Sequence, residues 1–260
     1  MADRSLKAWD AAKAAFADTR QGMDVFPMMY FGLVLIFGVQ QFLIGPLTRK
    51  NEADAAASDL IPLLGGFALS ILLIPIAISL LRYFAAGDYS RPYSFARPFG
   101  RALGWTIALC LLAALAAVPA AAGALIAFPV SNIAGLAWIA FSFCVLIWVG
   151  FRLSTLYTAL ALDEPAPILG RSFRETKGFV WFIIRLAFSS LAVFLPLSVA
   201  LGAIQYMLFG TYGLELPPGA PDASLAVRLA DSAATGILSG AMMAFWLALA
   251  ARVFIVVRGQ

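Results

Sequence analysis

Histidine is absent from this 260-residue sequence. Its absence removes imidazole metal sites, Ser-His triads and histidine proton relays from consideration. Cysteine is scarce: Cys110 and Cys144 both fall inside apolar runs, where a thiol behaves as a small hydrophobe. Neither a CxxC site nor a disulfide framework can be built from them. Charge is also sparse, at 12% of residues against 62% hydrophobic, too little polar surface to dissolve a 27.7 kDa globule. The sequence contains no Gly-rich phosphate loop, no clustered metal ligands and no nucleophile with a base beside it. We therefore expect a non-enzymatic protein with no metal and no cofactor.

What the sequence does have is apolar length. The runs Pro27–Leu47, Leu60–Leu81, Leu103–Phe128, Ile133–Gly150, Phe179–Phe209 and Ala233–Val257 meet or approach the roughly 20 residues that a helix needs to cross a hydrocarbon core about 30 Å thick. None of the 14 carboxylates lies deep inside any of them, which counts against proton- or cation-coupled transport through intramembrane acids. The expected fold is all-α: a polytopic membrane protein forming one integral membrane domain over residues 1–260, with six transmembrane helices. The first 24 residues are charged and helix-forming, unlike a signal peptide, and the N-terminus is expected to be retained.

Orientation follows from basic residues counted side by side. With six spans, 15 of the 18 Lys and Arg fall on the side that holds both termini. Only Arg49, Lys50 and Arg228 fall opposite. This bias predicts cytoplasmic termini in a bacterial inner membrane. It also gives a positive inner face that attracts anionic lipid headgroups. The aromatics sit mainly in the spans, so nucleic acid is not an expected partner. Membrane lipids, anionic ones above all, and a membrane-protein partner are.

A short pattern recurs. Phe16-Ala17-Asp18-Thr19-Arg20, with Gly22 close behind, precedes the first span, and Phe173-Arg174-Glu175-Thr176-Lys177-Gly178 precedes the fifth. Phe95-Ala96-Arg97-Pro98-Phe99-Gly100-Arg101 stands between them, ahead of the third. The spacing predicts three tandem units over 1–84, 85–162 and 163–260, each a short cytoplasmic interfacial helix followed by a transmembrane hairpin. In the first such helix Leu6, Trp9, Ala12 and Phe16 form the apolar face. In the third, Pro167 to Lys177, Ile168, Leu169, Ser172 and Phe173 oppose Arg171, Arg174 and Lys177.

The stretch Arg152-Leu153-Ser154 through Ala161-Leu162, followed by Ile168-Leu169-Gly170-Arg171-Ser172-Phe173-Arg174-Glu175-Thr176-Lys177-Gly178, resembles the membrane domain of glycerophosphoryl diester phosphodiesterases and related stand-alone bacterial inner-membrane proteins. The close match covers about residues 150–190. The resemblance implies an integral membrane domain and supplies no catalytic residues. The phosphodiesterase activity would need a soluble barrel with acidic metal ligands, which these 260 residues do not contain, and it is not expected here.

Three arginines, Arg82, Arg152 and Arg252, stand near the cytoplasmic end of the second helix of each hairpin. A guanidinium is always charged and grips phosphate through paired hydrogen bonds. With Arg174 and Lys177 they form a candidate lipid-headgroup site; snorkelling anchors are the other reading. Gln40 and Gln41 are expected to hydrogen-bond between helices, and Asp231 to be solvated. In the sixth span Ser232, Gly236, Gly240, Ala244 and Ala248 make a small-residue stripe suited to close helix contact, with the alanine-rich third span as partner. Two functional classes remain open: an anionic-lipid-binding scaffold or accessory subunit, and a transporter or lipid carrier with a polar or lateral cavity. The topology is directly testable. Single cysteines at Ser58 and Ala223 should react with an impermeant maleimide from the periplasm, and one at Ala166 should not; outside labelling at Ala166 would overturn the six-span threading.

Overall fold

A computed structural model describes residues 8–44, 60–88, 97–165, 168–210 and 225–259. Leu6, the Phe95-Ala96 opening of the middle copy, the three labelling positions and the loop acids Glu215 and Asp222 lie outside the described residues. Every element described is helical. The helices are α1 (Ala8–Val25), α2 (Pro27–Ile44), α3 (Leu60–Ala86), α4 (Arg97–Val130), α5 (Asn132–Arg152), α6 (Leu156–Ala161), α7 (Ile168–Glu175), α8 (Val180–Gly210) and α9 (Leu225–Arg258), with a 3₁₀ turn at Thr176–Gly178. Within the described residues each of the six apolar runs falls on one of them, apart from Phe179, which just precedes α8. Pro75, Pro119 and Pro196 sit inside α3, α4 and α8, which continue through them.

Among the described residues two helices are long and apolar enough to cross a membrane, at Val180–Ala200 in α8 and Leu229–Arg258 in α9. A third qualifies if the α1–α2 pair counts as one broken span, but that pair turns by 103°. Pro27 is the cause of the turn. Its ring disfavours helical geometry at Phe26, which lies outside both helices, while its missing N–H costs nothing at the first position of a new helix. Phe26 is held edge-on against Tyr83 of α3, 5.2 Å between ring centres. Large apolar side chains face outward on α5 and α8, among them Ile133, Leu136, Phe141, Trp181, Phe188 and Leu195. A surface of this kind is stable against lipid and unfavourable against water.

The core gathers around α9. Its stripe seats on α2, not on the alanine-rich helix that the sequence had suggested. A methyl group added at Gly236 would fall 2.5 Å from the Val34 carbonyl oxygen and 3.0 Å from the Gly38 nitrogen. One at Gly240 would fall 3.1 Å from the Val34 nitrogen, and one at Gly38 3.2 Å from the Ser232 carbonyl oxygen. The two backbones touch: at Gly236 only glycine fits without a shift, and at Gly240 and Gly38 a methyl would be tightly packed. Ala244 and Ala248 continue the contact fully buried, and Phe245 beside them packs edge-on against Phe194 of α8 at 4.8 Å. At the far end of the stripe Gln41 donates to Asp231 at 3.1 Å, and Asp231 is buried. The expectation of a solvated Asp231 is thereby corrected: the small residues that draw α2 close also bring the carboxylate under it.

Of the residues expected on the lipid-facing side of α1, Ala12 alone is found buried among those described. Ala11, Ala12, Ala15, Thr19 and Gly22 turn into the bundle, and Trp9 and Phe16 remain exposed. Small residues are buried because α1 crosses the bundle closely; the Tyr30 hydroxyl reaches the Thr19 carbonyl at 2.8 Å and would lie 2.8 Å from a methyl at Gly22.

The glycine contact predicts an asymmetry between substitutions. Gly236→Ala should cost about 1–3 kcal/mol through backbone displacement. Gly202→Ala, where nothing lies within 4 Å, should be neutral or stabilise by up to about 1 kcal/mol. Unfolding titrations in mixed micelles would measure both, and equal effects would contradict the close α2–α9 approach.

Candidate functional site

Charged side chains collect at the end of the bundle formed by the α9 C-terminus, α1, α6 and α7. The local cause is the end of α6. Leu162 closes that helix, Asp163 adopts a left-handed conformation (φ 55°), and the Glu164 and Asp163 amides return to the carbonyls of Ala159 and Leu160. This is a Schellman closure with aspartate where glycine is usual. It turns two adjacent carboxylates toward arginines from three helices. Asp163 pairs with Arg101 of α4, whose other terminal nitrogen donates to the Glu164 carbonyl at 2.7 Å. Glu164 pairs with Arg258 of α9 and lies 3.4 Å from Arg171 of α7. Glu175 binds Arg258 at 3.2 Å and Arg171 at 2.9 Å. Arg258 also covers the Phe254 ring at 4.0 Å, and Phe254 with Leu156, Leu160 and Ile168 forms the apolar floor beneath.

A second, uncharged set of bonds sits beside this network. The C-terminal carbonyls of a helix lack intrahelical donors, and α5 ends at Arg152. The buried Ser172 hydroxyl donates to the Arg152 carbonyl at 2.8 Å. Its only proton is thereby used, so the Thr155 hydroxyl, 2.8 Å away, donates to Ser172. Thr176 donates to the Ser172 carbonyl at 2.7 Å, with the Arg152 carbonyl at 3.3 Å as a weaker acceptor. The Ser and Thr of the sequence motif are thus helix-closing groups, joining α7 to the end of α5.

The five candidate headgroup residues are in different situations. Arg252 makes a two-pronged pair with Asp18 of α1, Nε at 2.6 Å and Nη2 at 2.7 Å. Arg82 reaches Asp88 at 2.9 Å across the end of α3. Arg152 is buried, with its guanidinium 5.7 Å from the Trp148 ring centre and 5.4 Å from that of Phe173. Arg174 and Lys177 are exposed. Arg82, Arg152 and Arg252 therefore have separate surroundings, two of them with carboxylates. Arg185 is exposed over Trp181.

Asp18 and Glu175, the acids at matching positions of the recurring pattern, both receive arginines from α9, Arg252 and Arg258. The threonines after them, Thr19 and Thr176, are both buried and both donate to the carbonyl four residues back, at 2.8 and 2.7 Å. Asp88, Asp163 and Glu164 are acids near the arginines in the sequence; the sequence reading missed Arg258, Asp18 and Glu175 as partners. The one signal available was that acids recurred at the same place in the pattern while two arginines stood six residues apart on the last helix.

Among the described residues no group of three or more Cys, Asp or Glu could hold a metal ion. No family model matches the chain, and neither curated proteins nor solved structures give a match.

Removing the hydroxyls that close α5 should loosen this end of the molecule. Ser172→Ala combined with Thr176→Val is expected to cost about 2–4 kcal/mol, since buried acceptors lose their donors. Hydrogen exchange at residues 150–160 should rise with it. Unchanged exchange there would show that the α5 end is closed by something else.

Proposed function

We propose that this chain is a non-enzymatic, six-span protein of the bacterial inner membrane, with both termini cytoplasmic, that engages anionic lipid at the inner leaflet as a scaffold or accessory subunit. In this reading α2, α3, α4, α5, α8 and α9 are the spans. Three helix-plus-hairpin units make up the chain, and the resemblance to the phosphodiesterase membrane domain is one of membrane architecture without the activity.

The observation that carries the proposal is the outer face of α1. Trp9, Lys13, Phe16, Arg20 and Met23 are all exposed and follow one another at intervals of four and three residues, so they form a single ridge along the helix. The Lys13 ammonium lies 5.6 Å from the Trp9 ring centre. The 103° turn at Phe26 sets this ridge nearly across the direction of α2. A helix lying across a span, with large apolar groups and cations interleaved on one exposed face, has the form that rests in a headgroup layer. There its rings reach the acyl boundary and its cations meet lipid phosphate. The small-residue face of α1 is occupied by the bundle, so the ridge is free for lipid.

Two spin labels test this in the full chain, with Cys110 and Cys144 replaced and the protein in vesicles rich in phosphatidylglycerol. A label at Phe16 should collide mainly with dissolved oxygen, and one at Gln21 mainly with a water-soluble nickel chelate. Lys13→Gln with Arg20→Gln should lower the preference for anionic over zwitterionic lipid by roughly fivefold per cation. Equal nickel accessibility at both labels would sink the interfacial assignment.

A further inference from the structure

Of the three span-end arginines, Arg82 and Arg252 are neutralised by carboxylates of the chain. Arg152 is not, although it is 9% exposed. Its Nε is buried with no hydrogen-bond partner, and no carboxylate pairs with its guanidinium among the described residues. Trp148 and Phe173 flank the group. Aromatic faces orient a cation and attract it weakly, but they accept none of its five N–H groups and leave its charge whole. A buried charge with neither counter-charge nor acceptor is costly. Two residues on, the Ser154 hydroxyl is likewise buried without a partner. Unused donors are therefore concentrated where α5 ends, and an acceptor with negative charge is what they lack.

The surroundings identify that acceptor further. Phe141, Val145, Trp148 and Arg152 succeed one another at intervals of four, three and four residues, along one face of α5. The first three are exposed apolar side chains, and the row measures about 16 Å at the helical rise, the scale of an acyl chain. An apolar ridge ending in an unpaired guanidinium matches a glycerophospholipid with its phosphate at the helix end. A free phosphate would satisfy the cation and leave the ridge unused.

We propose that Arg152 is the headgroup-phosphate ligand of a single bound anionic phospholipid, held in orientation by Trp148 and Phe173, with its chain along α5. This deepens the lipid reading above and rests on it, at a place distinct from the α1 ridge. Arg82 and Arg252 are structural cations and take no part.

Native mass spectrometry of the full chain, titrated with phosphatidylglycerol after delipidation, reads the site. Arg152→Gln should weaken retention of one phosphatidylglycerol about tenfold, while Arg82→Gln leaves it unchanged. If Arg152→Gln does not fold, Arg152→Lys supplies the test. It keeps the charge and loses the paired hydrogen bonds, so retention should fall by a smaller factor. In a parallel arm, inorganic phosphate that displaces phosphatidylglycerol at millimolar concentration would support the phosphate contact. Phosphate that binds the wild-type chain while added phosphatidylglycerol is not retained at all would overturn the lipid as occupant. Unchanged retention in both Arg152 variants, or equal loss in Arg82→Gln, would overturn the site itself. The Lys13→Gln, Arg20→Gln variant separates the two readings: it should lose its general preference for anionic lipid and keep this one molecule.

Discussion

Within a lipid environment apolar burial does little to bring helices together, and close packing with interhelical polar bonds has to do so instead. The α2–α9 contact meets that requirement through absent side chains. Gly236 lets two backbones meet at a distance a methyl group would prevent, and Gly38 and Gly240 keep the neighbouring contacts close. Once α9 is fixed on α2, its position determines much else. Phe245 meets α8, the C-terminal arginines come within reach of α1, α6 and α7, and the hydroxyls of α7 find the end of α5. A helix that could not approach α2 so closely would carry those arginines away from their acids.

The arginines then divide by what each finds nearby. Arg252 and Arg258 act as ties, joining α9 to Asp18 in one case and to Glu164 and Glu175 in the other. Exposed ion pairs contribute little to stability, but Arg258 is mostly buried and joins three elements at once, which gives it a positional role. Arg152 has aromatic rings where the others have carboxylates. The same residue type at comparable places thus serves two ends: cohesion where an acid is supplied by the chain, and an unmet demand for an anion where none is.

Much of the helical architecture could be read from apolar length alone, since the described part of each of the six runs falls on a helix, Phe179 aside. The stripe Gly236, Gly240, Ala244 was equally visible from its four-residue spacing. Its partner was not, because an alanine-rich helix and a helix with Gly32 and Gly38 offer similar small-residue signals. Only the three-dimensional register decides which one meets the stripe. Ala12, expected beside Trp9 and Phe16 on the lipid-facing side of α1, is buried for a related reason. Periodicity separates large apolar groups from polar ones, whereas a close crossing selects small groups, so Trp9 and Phe16 are exposed and Ala11, Ala12 and Ala15 are not.

The candidate residues show the same division. The sequence by itself determined that the chain is helical and strongly apolar, and that Arg82, Arg152 and Arg252 stand toward the C-terminal ends of apolar runs. Those properties depend on composition and spacing, which are local. Asp88, six residues from Arg82, was within reach of a sequence reading; only the tertiary structure decided that Asp18 neutralises Arg252, that Ser172 and Thr176 close α5, and that Arg152 lies between two rings without a counter-charge. Whether a guanidinium is paired depends on which acid comes within about 4 Å of it. For Arg252 that acid is 234 residues away in the chain, a separation across which spacing carries no information.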